Sequence, residues 1–469
     1  MSGGAAPVER LQQYLREISP EARALLLREL ERAALAGEQF PGLDLILEEL
    51  RAGQRDSRQA GERLDAADRR FFLPVQPFLV DEEVPDRVVG RIVRSSLPRI
   101  WTWLERDLMP AETEAFLREA TAAITAGDTA KTDRVVQDFQ GRALVAIEKA
   151  LAATDDDSRS RHKLISQLGG GRVLDALSEI AAIFRIRATL KELASRLPEQ
   201  IKNLVDDELD FVRTLFVHPA ITRPDIFPYA LVLLFSRLAS PVQLLRLPVA
   251  CLETDSARRI AETPFAFTGD LIIDEATRVS LRLANDMRSN SIADACIGIK
   301  RFHDIARGMA GEIDMSEDGR WAKRLAQLRA DTAMLLRQKI DGLPGQVRRL
   351  LRPRPKDEIA PGAILDLHAV ADVEASLDVL KACKLYAGEV AVSEITLRTS
   401  SELETCLDNA MQGLLESVRN ASPEDRPFRA SQLDAAVRFA GKIFGRQYAE
   451  LLAKAAEVAT QGERRAAQG

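Results

Sequence analysis

Two groups of residues in this sequence have the types and spacing to do chemistry. The first is the adjacent pair His303-Asp304. An imidazole beside a carboxylate can hold a metal ion or pass a proton, provided further groups complete the set. The second is the cationic run Arg348, Arg349, Arg352, Arg354 and Lys356, which contains no acid. Guanidiniums present forked N–H donors that match phosphate oxygens, so such a run can grip a polyanionic surface. Asp357 and Glu358 follow at once and offset part of that field.

Both groups also have a plainer reading. His303-Asp304 resembles, over this dipeptide alone, the dyad of the HD class of metal-dependent phosphohydrolases. That class is all-helical and adds further His and Asp ligands. Here the four histidines, His162, His218, His303 and His368, are not spaced in that manner, so no metal is assigned and no cofactor is expected. On a helix running from Ile292, residues Cys296, Ile299, His303 and Ala306 share one face, and 3.6-residue periodicity alone accounts for His303. Asp270, Asp274 and Glu275 are candidate additional ligands, although Asp274 more simply caps a following helix. The basic run ends a helix, where the dipole favours cations. Pro353 and Pro355 keep its second half extended, so its side chains cannot share one helix face. Any polyanion binding there is expected to be weak and unspecific, because no base-reading helix or aromatic platform accompanies the cations.

The strong signatures of nucleotide, zinc-protease and serine-hydrolase chemistry are missing from the sequence. Gly169-Gly170-Gly171-Arg172 could cradle a phosphate, but a helix precedes it, which favours an interhelical turn. A net charge of −6 opposes a general nucleic-acid coat. Cys251, Cys296, Cys383 and Cys406 lack metal or disulfide spacing and read as free thiols of a reducing compartment. The opening residues carry no signal-peptide pattern, and the most apolar stretch, 227–236, is too short to span a bilayer. These features predict a cytoplasmic protein that is not integral to a membrane.

The elements that must position these residues are helices. Apolar residues recur at helical spacing through most of the chain, and its abundant Ala, Leu, Arg and Glu favour helix. The reading is all-α in two to three units. It comprises amphipathic helices at 8–70, an apolar proline-rich strap at 71–97, a central helical domain at 98–351, a Pro/charged linker at 352–362, a C-terminal helical domain at 363–458 and a polar tail at 459–469. One minor β-hairpin is allowed for at 265–273. The strap, with three prolines, cannot be one helix. It reads first as chain lying on a core. Its sharper use is as a docking peptide with Phe71, Phe72 and Phe78 as interaction residues. Pro198 and Pro344 head two similar stretches, both read as helix starts, and Ser431-x-x-Asp434 reads as a capping box before the stripe Leu433 to Leu451.

The leading functional expectation is a non-enzymatic helical interaction or scaffold protein. Its partner would be another protein or a second copy of itself, with no specific nucleic acid. The alternatives are an HD-like phosphohydrolase using His303 and Asp304, and a weak binder of polyanions through 348–356.

Overall fold

The structure is a computed structural model, and it describes residues 66–461 apart from 317, 356, 357, 361, 362 and 391. The helices expected at 8–65 lie outside the described residues. The described chain is 78% helical. Its helices are α1 (Ala66–Phe71), α2 (Ser96–Trp103), α3 (Pro110–Thr125), α4 (Thr129–Asp156), α5 (Ser158–Leu168), α6 (Gly171–Arg196), α7 (Asp206–Phe216), α8 (Phe227–Arg237) and α9 (Arg246–Leu252). There follow α10 (Ala257–Ala261), α11 (Ala266–Arg288), α12 (Ile292–Glu312), α13 (Arg320–Ile340), α14 (Leu343–Leu351), α15 (Leu367–Val390), α16 (Ser393–Arg419), α17 (Arg426–Ile443) and α18 (Arg446–Gln461). The strands among the described residues, β1 (Leu79–Val80) and β2 (Ile92–Val93), pair in parallel with Leu79 opposite Ile92.

The described chain divides into two compact units, one made of 66–81 with Ile92–Arg187 and the other of Glu82–Arg91 with 188–461. The core of the first unit is aromatic. Phe71 sits 4.8 Å from Phe72 and 5.2 Å from Phe184, and Phe116 stacks on Phe139 at 4.3 Å. Gln140 donates to the Phe71 carbonyl, satisfying a polar group inside that core. Between Phe72 and β1 the apolar stretch turns into a 3-10 helix, Leu73–Phe78, which tolerates Pro74 in its first turn. In the second unit the core is mostly aliphatic and runs through Leu283, Ile299, Leu336, Val347, Leu377 and Leu407, with Phe439 among them.

Local signals explain several helix ends. Asp157 caps α5: it accepts from the Ser160 hydroxyl and from the Arg159 and Ser160 N–H groups, which together hold its carboxyl below the ordinary range. Gly169 ends that helix in the left-handed region at φ 81°, where glycine is at ease, and the glycine triplet is therefore an interhelical turn.

Four local expectations are corrected. No hairpin forms at 265–273, because Leu271, Ile272 and Ile273 belong to α11 and are buried there. A short apolar run fits a strand or a buried helix equally well, and burial on several sides decides for helix. Asp274 caps nothing, since it lies inside α11. Pro198 does not start a helix: Ile201 bridges to Leu238, donating to the Arg237 carbonyl and accepting from Ala239. Pro344, by contrast, does sit in the first turn of α14. Ser431 and Asp434 fall within α17, which already begins at Arg426 with Pro427 in its first turn. The apolar stripe beyond them breaks at Gly445, whose φ of +95° separates α17 from α18.

Candidate functional site

His303 and Asp304 sit side by side on α12 and face different surroundings. The His303 ring is half-buried, 5.2 Å from the Tyr386 ring, and its Nδ1 has no hydrogen-bond partner among the described residues. Asp304 is exposed and accepts from Lys300 Nζ at 2.9 Å, one turn earlier, which holds the ammonium above its ordinary range. Among the described residues no three His, Cys, Asp or Glu side chains converge as a metal site. Asp270 instead accepts from Arg320 and from the Trp321 indole.

Phe71, Phe72 and Phe78 are buried in the first unit, at 0%, 0% and 1% exposure. Their area already contributes to folding, so docking a partner on these rings would first require opening that core.

The basic run is dispersed. Arg348 and Arg349 end α14 and point to solvent, while Arg352 pairs with Glu358 at 3.6 Å. Arg354 lies 5.0 Å over the Phe428 ring, and its carbonyl accepts from Arg429. Gln432 donates to the carbonyls of Leu350 and Arg352. The described part of 352–360 is therefore fastened to α17. Lys356 lies outside the described residues.

A buried cluster of charges lies elsewhere in the second unit, around α11. Asp274, 1% exposed, uses both carboxylate oxygens: Arg91 donates to it at 2.9 Å and Arg278 at 2.8 and 3.0 Å. Arg91 also reaches Glu275 at 2.5 Å and lies 5.2 Å over the Phe235 ring. Arg278 donates to the Glu82 carbonyl, and the Glu82 carboxylate takes Arg282 at 2.5 and 2.7 Å. The cluster is a clamp holding residues 82–91 on α11. A buried carboxylate that already accepts three guanidinium hydrogen bonds is poorly placed to ligate or to take a proton.

Two clefts open on the second unit. One, of about 320 Å³, lies between α11 and α12 and is lined by Arg282, Asp286, Asp294, Ile297 and Arg301 among others. Burial pushes the Asp286 carboxyl up, Asp294 and Glu82 add repulsion, and Arg282 offsets part of it. The other, of about 410 Å³, lies along α14 and α16 and brings together Arg348, Arg398, Ser401, Glu402, Thr405, Cys406 and Asn409. Here one arginine of the basic run meets a cation 50 residues away. Glu402 stands between them, 4.0 Å from Arg348 and 3.9 Å from Arg398. Burial raises the Cys406 thiol, and the neighbouring Arg348 guanidinium pulls it partly back. Arg398 was not singled out from sequence; its signal was the polar stripe at 398, 402, 405 and 409, at helical spacing on α16.

Large apolar side chains are exposed at several places among the described residues, Val145, Phe211, Leu385 and Leu397 included, and two of them share α18. On α18, Leu451 and Val458 are 66% and 67% exposed, while Leu452 and Ala456 pack against the core and Ala459 is buried. Among the described residues, no helix is long and apolar enough to cross a membrane. No protein-family model, curated protein or solved structure matches the chain.

Proposed function

We propose that this protein is a non-enzymatic helical interaction protein, docking another protein or a second copy of itself through the outer face of α18. The observation that supports this reading is the pairing of Leu451 with Val458. Seven residues apart, they lie on one side of the helix, almost in line, and both are about two-thirds exposed. Isolated apolar residues on a surface are ordinary, but two in register along one helix are the anchor pattern of a helix laid against a partner. The inner face of α18 is already committed to its own core, and most of the outer pair's surface is left free. Covering the exposed two-thirds of both side chains would contribute roughly 2–4 kcal/mol before association costs are subtracted.

The test compares wild type with the L451E/V458E variant. Each is tagged, produced at native level and purified with its companions for mass spectrometry, and sedimentation velocity follows self-association. A stoichiometric companion or a concentration-dependent dimer, lost in the variant, supports the proposal. Identical companions and identical sedimentation in both proteins overturn it.

A further inference from the structure

The cleft along α14 and α16 has the geometry of an anion site whose occupant is an internal carboxylate. Its two guanidiniums come from different helices, Arg348 from α14 and Arg398 from α16. Glu402 divides its oxygens between them, Oε2 towards Arg348 at 4.0 Å and Oε1 towards Arg398 at 3.9 Å. Both separations exceed the 2.7–2.9 Å or so of a charge-assisted hydrogen bond. A single carboxylate therefore does not close on either cation. All three side chains are roughly half exposed or more, at 61%, 58% and 46%. Ion pairs so loose and so wet are worth little and exchange readily. The firm contact in the group is the one from Arg398 to Asp341 at 2.7 Å, which uses one of its amino groups and orients the fork.

We propose that this cleft binds a phosphate monoester, with Arg348 and Arg398 clamping the phosphate and Glu402 displaced from between them. A phosphate dianion is wider than a carboxylate and offers three terminal oxygens, so it can meet both cations at once. Ser401 and Asn409 supply neutral donors along the same stretch of α16. The Thr405 hydroxyl lines the same cleft but donates to the Ser401 carbonyl, so it has no proton left for the phosphate. A volume of about 410 Å³ leaves room for the organic part of a small ester beside the phosphate. This site is independent of the α18 surface.

The competing carboxylate gives the proposal a distinctive signature, because removing an acid and removing a base act in opposite directions. Isothermal titration of the full chain uses phosphoserine, phenyl phosphate and inorganic phosphate as probes, with acetate as control. Binding of at least one ester at millimolar affinity or better is expected. R348A and R398A should each weaken it about tenfold, the loss expected for a charged hydrogen bond. R398K should restore part of it, since lysine keeps the charge without the fork. E402Q should tighten it several-fold by removing the internal competitor. Circular dichroism checks that each variant is folded, and the substitutions lie on the surface. Esters binding more tightly than inorganic phosphate support a ligand whose organic part fills the cleft. Equal affinities support a site for the phosphate group alone, whether free or carried on a longer molecule. Three results overturn the proposal: no ester binding by wild type or E402Q, binding indifferent to both arginines, or weaker binding by E402Q.

Discussion

Removing the carboxylate of Asp274 should be among the most damaging single changes in the second unit. In D274N the side chain keeps its shape and loses its charge. Three charge-assisted contacts depend on it, one from Arg91 and two from Arg278. Arg91 and Arg278 are only 7% and 3% exposed, so water cannot replace the lost partner. Breaking a buried pair by deleting one member costs about 3–5 kcal/mol, mostly the penalty of stranding the remaining charge. The clamp also holds residues 82–91 through the Glu82 carbonyl and carboxylate. Hydrogen exchange read by mass spectrometry should therefore show peptides from 82–91 and 266–288 exchanging roughly two to three and a half decades faster, at about 1.4 kcal/mol per decade. The variant R91M/D274L/E275M/R278M, which replaces the linked charges together by apolar groups of similar volume, should recover most of that loss. A D274N protein within about 1 kcal/mol of wild type by exchange and by urea unfolding would refute the reasoning.

Three smaller changes test other parts of the packing and electrostatics. A Cβ added at Gly269 would overlap the Trp321 indole, whose Nε1 donates to Asp270 at 2.8 Å, so G269A should cost about 1–3 kcal/mol and shift the tryptophan emission. Cys383 is pushed up to about 12 by burial, so roughly one thiol in 10⁴ is ionised at pH 8, and it should react with a disulfide reagent only on unfolding. The Asp286 carboxyl is raised by burial and by Asp294, so folding is penalised while it is ionised; the penalty is full above the folded value and fades as pH falls through it towards the ordinary 3.8. D286N should accordingly melt higher than wild type at neutral pH and lose that advantage below pH 3.8.

Helical class was legible because it depends on local spacing. Leu433 and Ala440 are buried along α17 as their periodicity implies, with Val437 half-buried against the same core, and Gly169 ends α5 as its residue type implies. What escaped depends on pairing between distant residues. The Ile201 bridge to Leu238 overrides the helix-start look of Pro198, because the Arg237 carbonyl, 36 residues away, takes the Ile201 N–H. Leu271 to Ile273 read as strand or helix until their burial within α11 is known. The Arg91–Asp274 pair joins residues 183 positions apart, and no local pattern announces it. The candidate sites divide in the same way. The basic run was visible as composition, yet the structure disperses it, and its Arg348 meets Arg398 only because α14 packs along α16. Leu451 was visible as part of an apolar stripe, but its exposure was not, because the break at Gly445 re-aims the helix that carries it.

The central claim is that the outer face of α18 is a protein-docking surface, and site-specific photo-crosslinking tests it most directly. A photoreactive phenylalanine analogue is placed at Leu451, at Val458, or at the exposed control position Gln412 on α16. Irradiation at native expression level should join positions 451 and 458 to the same discrete species, a second copy or one other protein, with no such product from 412. Equal labelling at all three positions, or no discrete product at 451 and 458, would contradict the account.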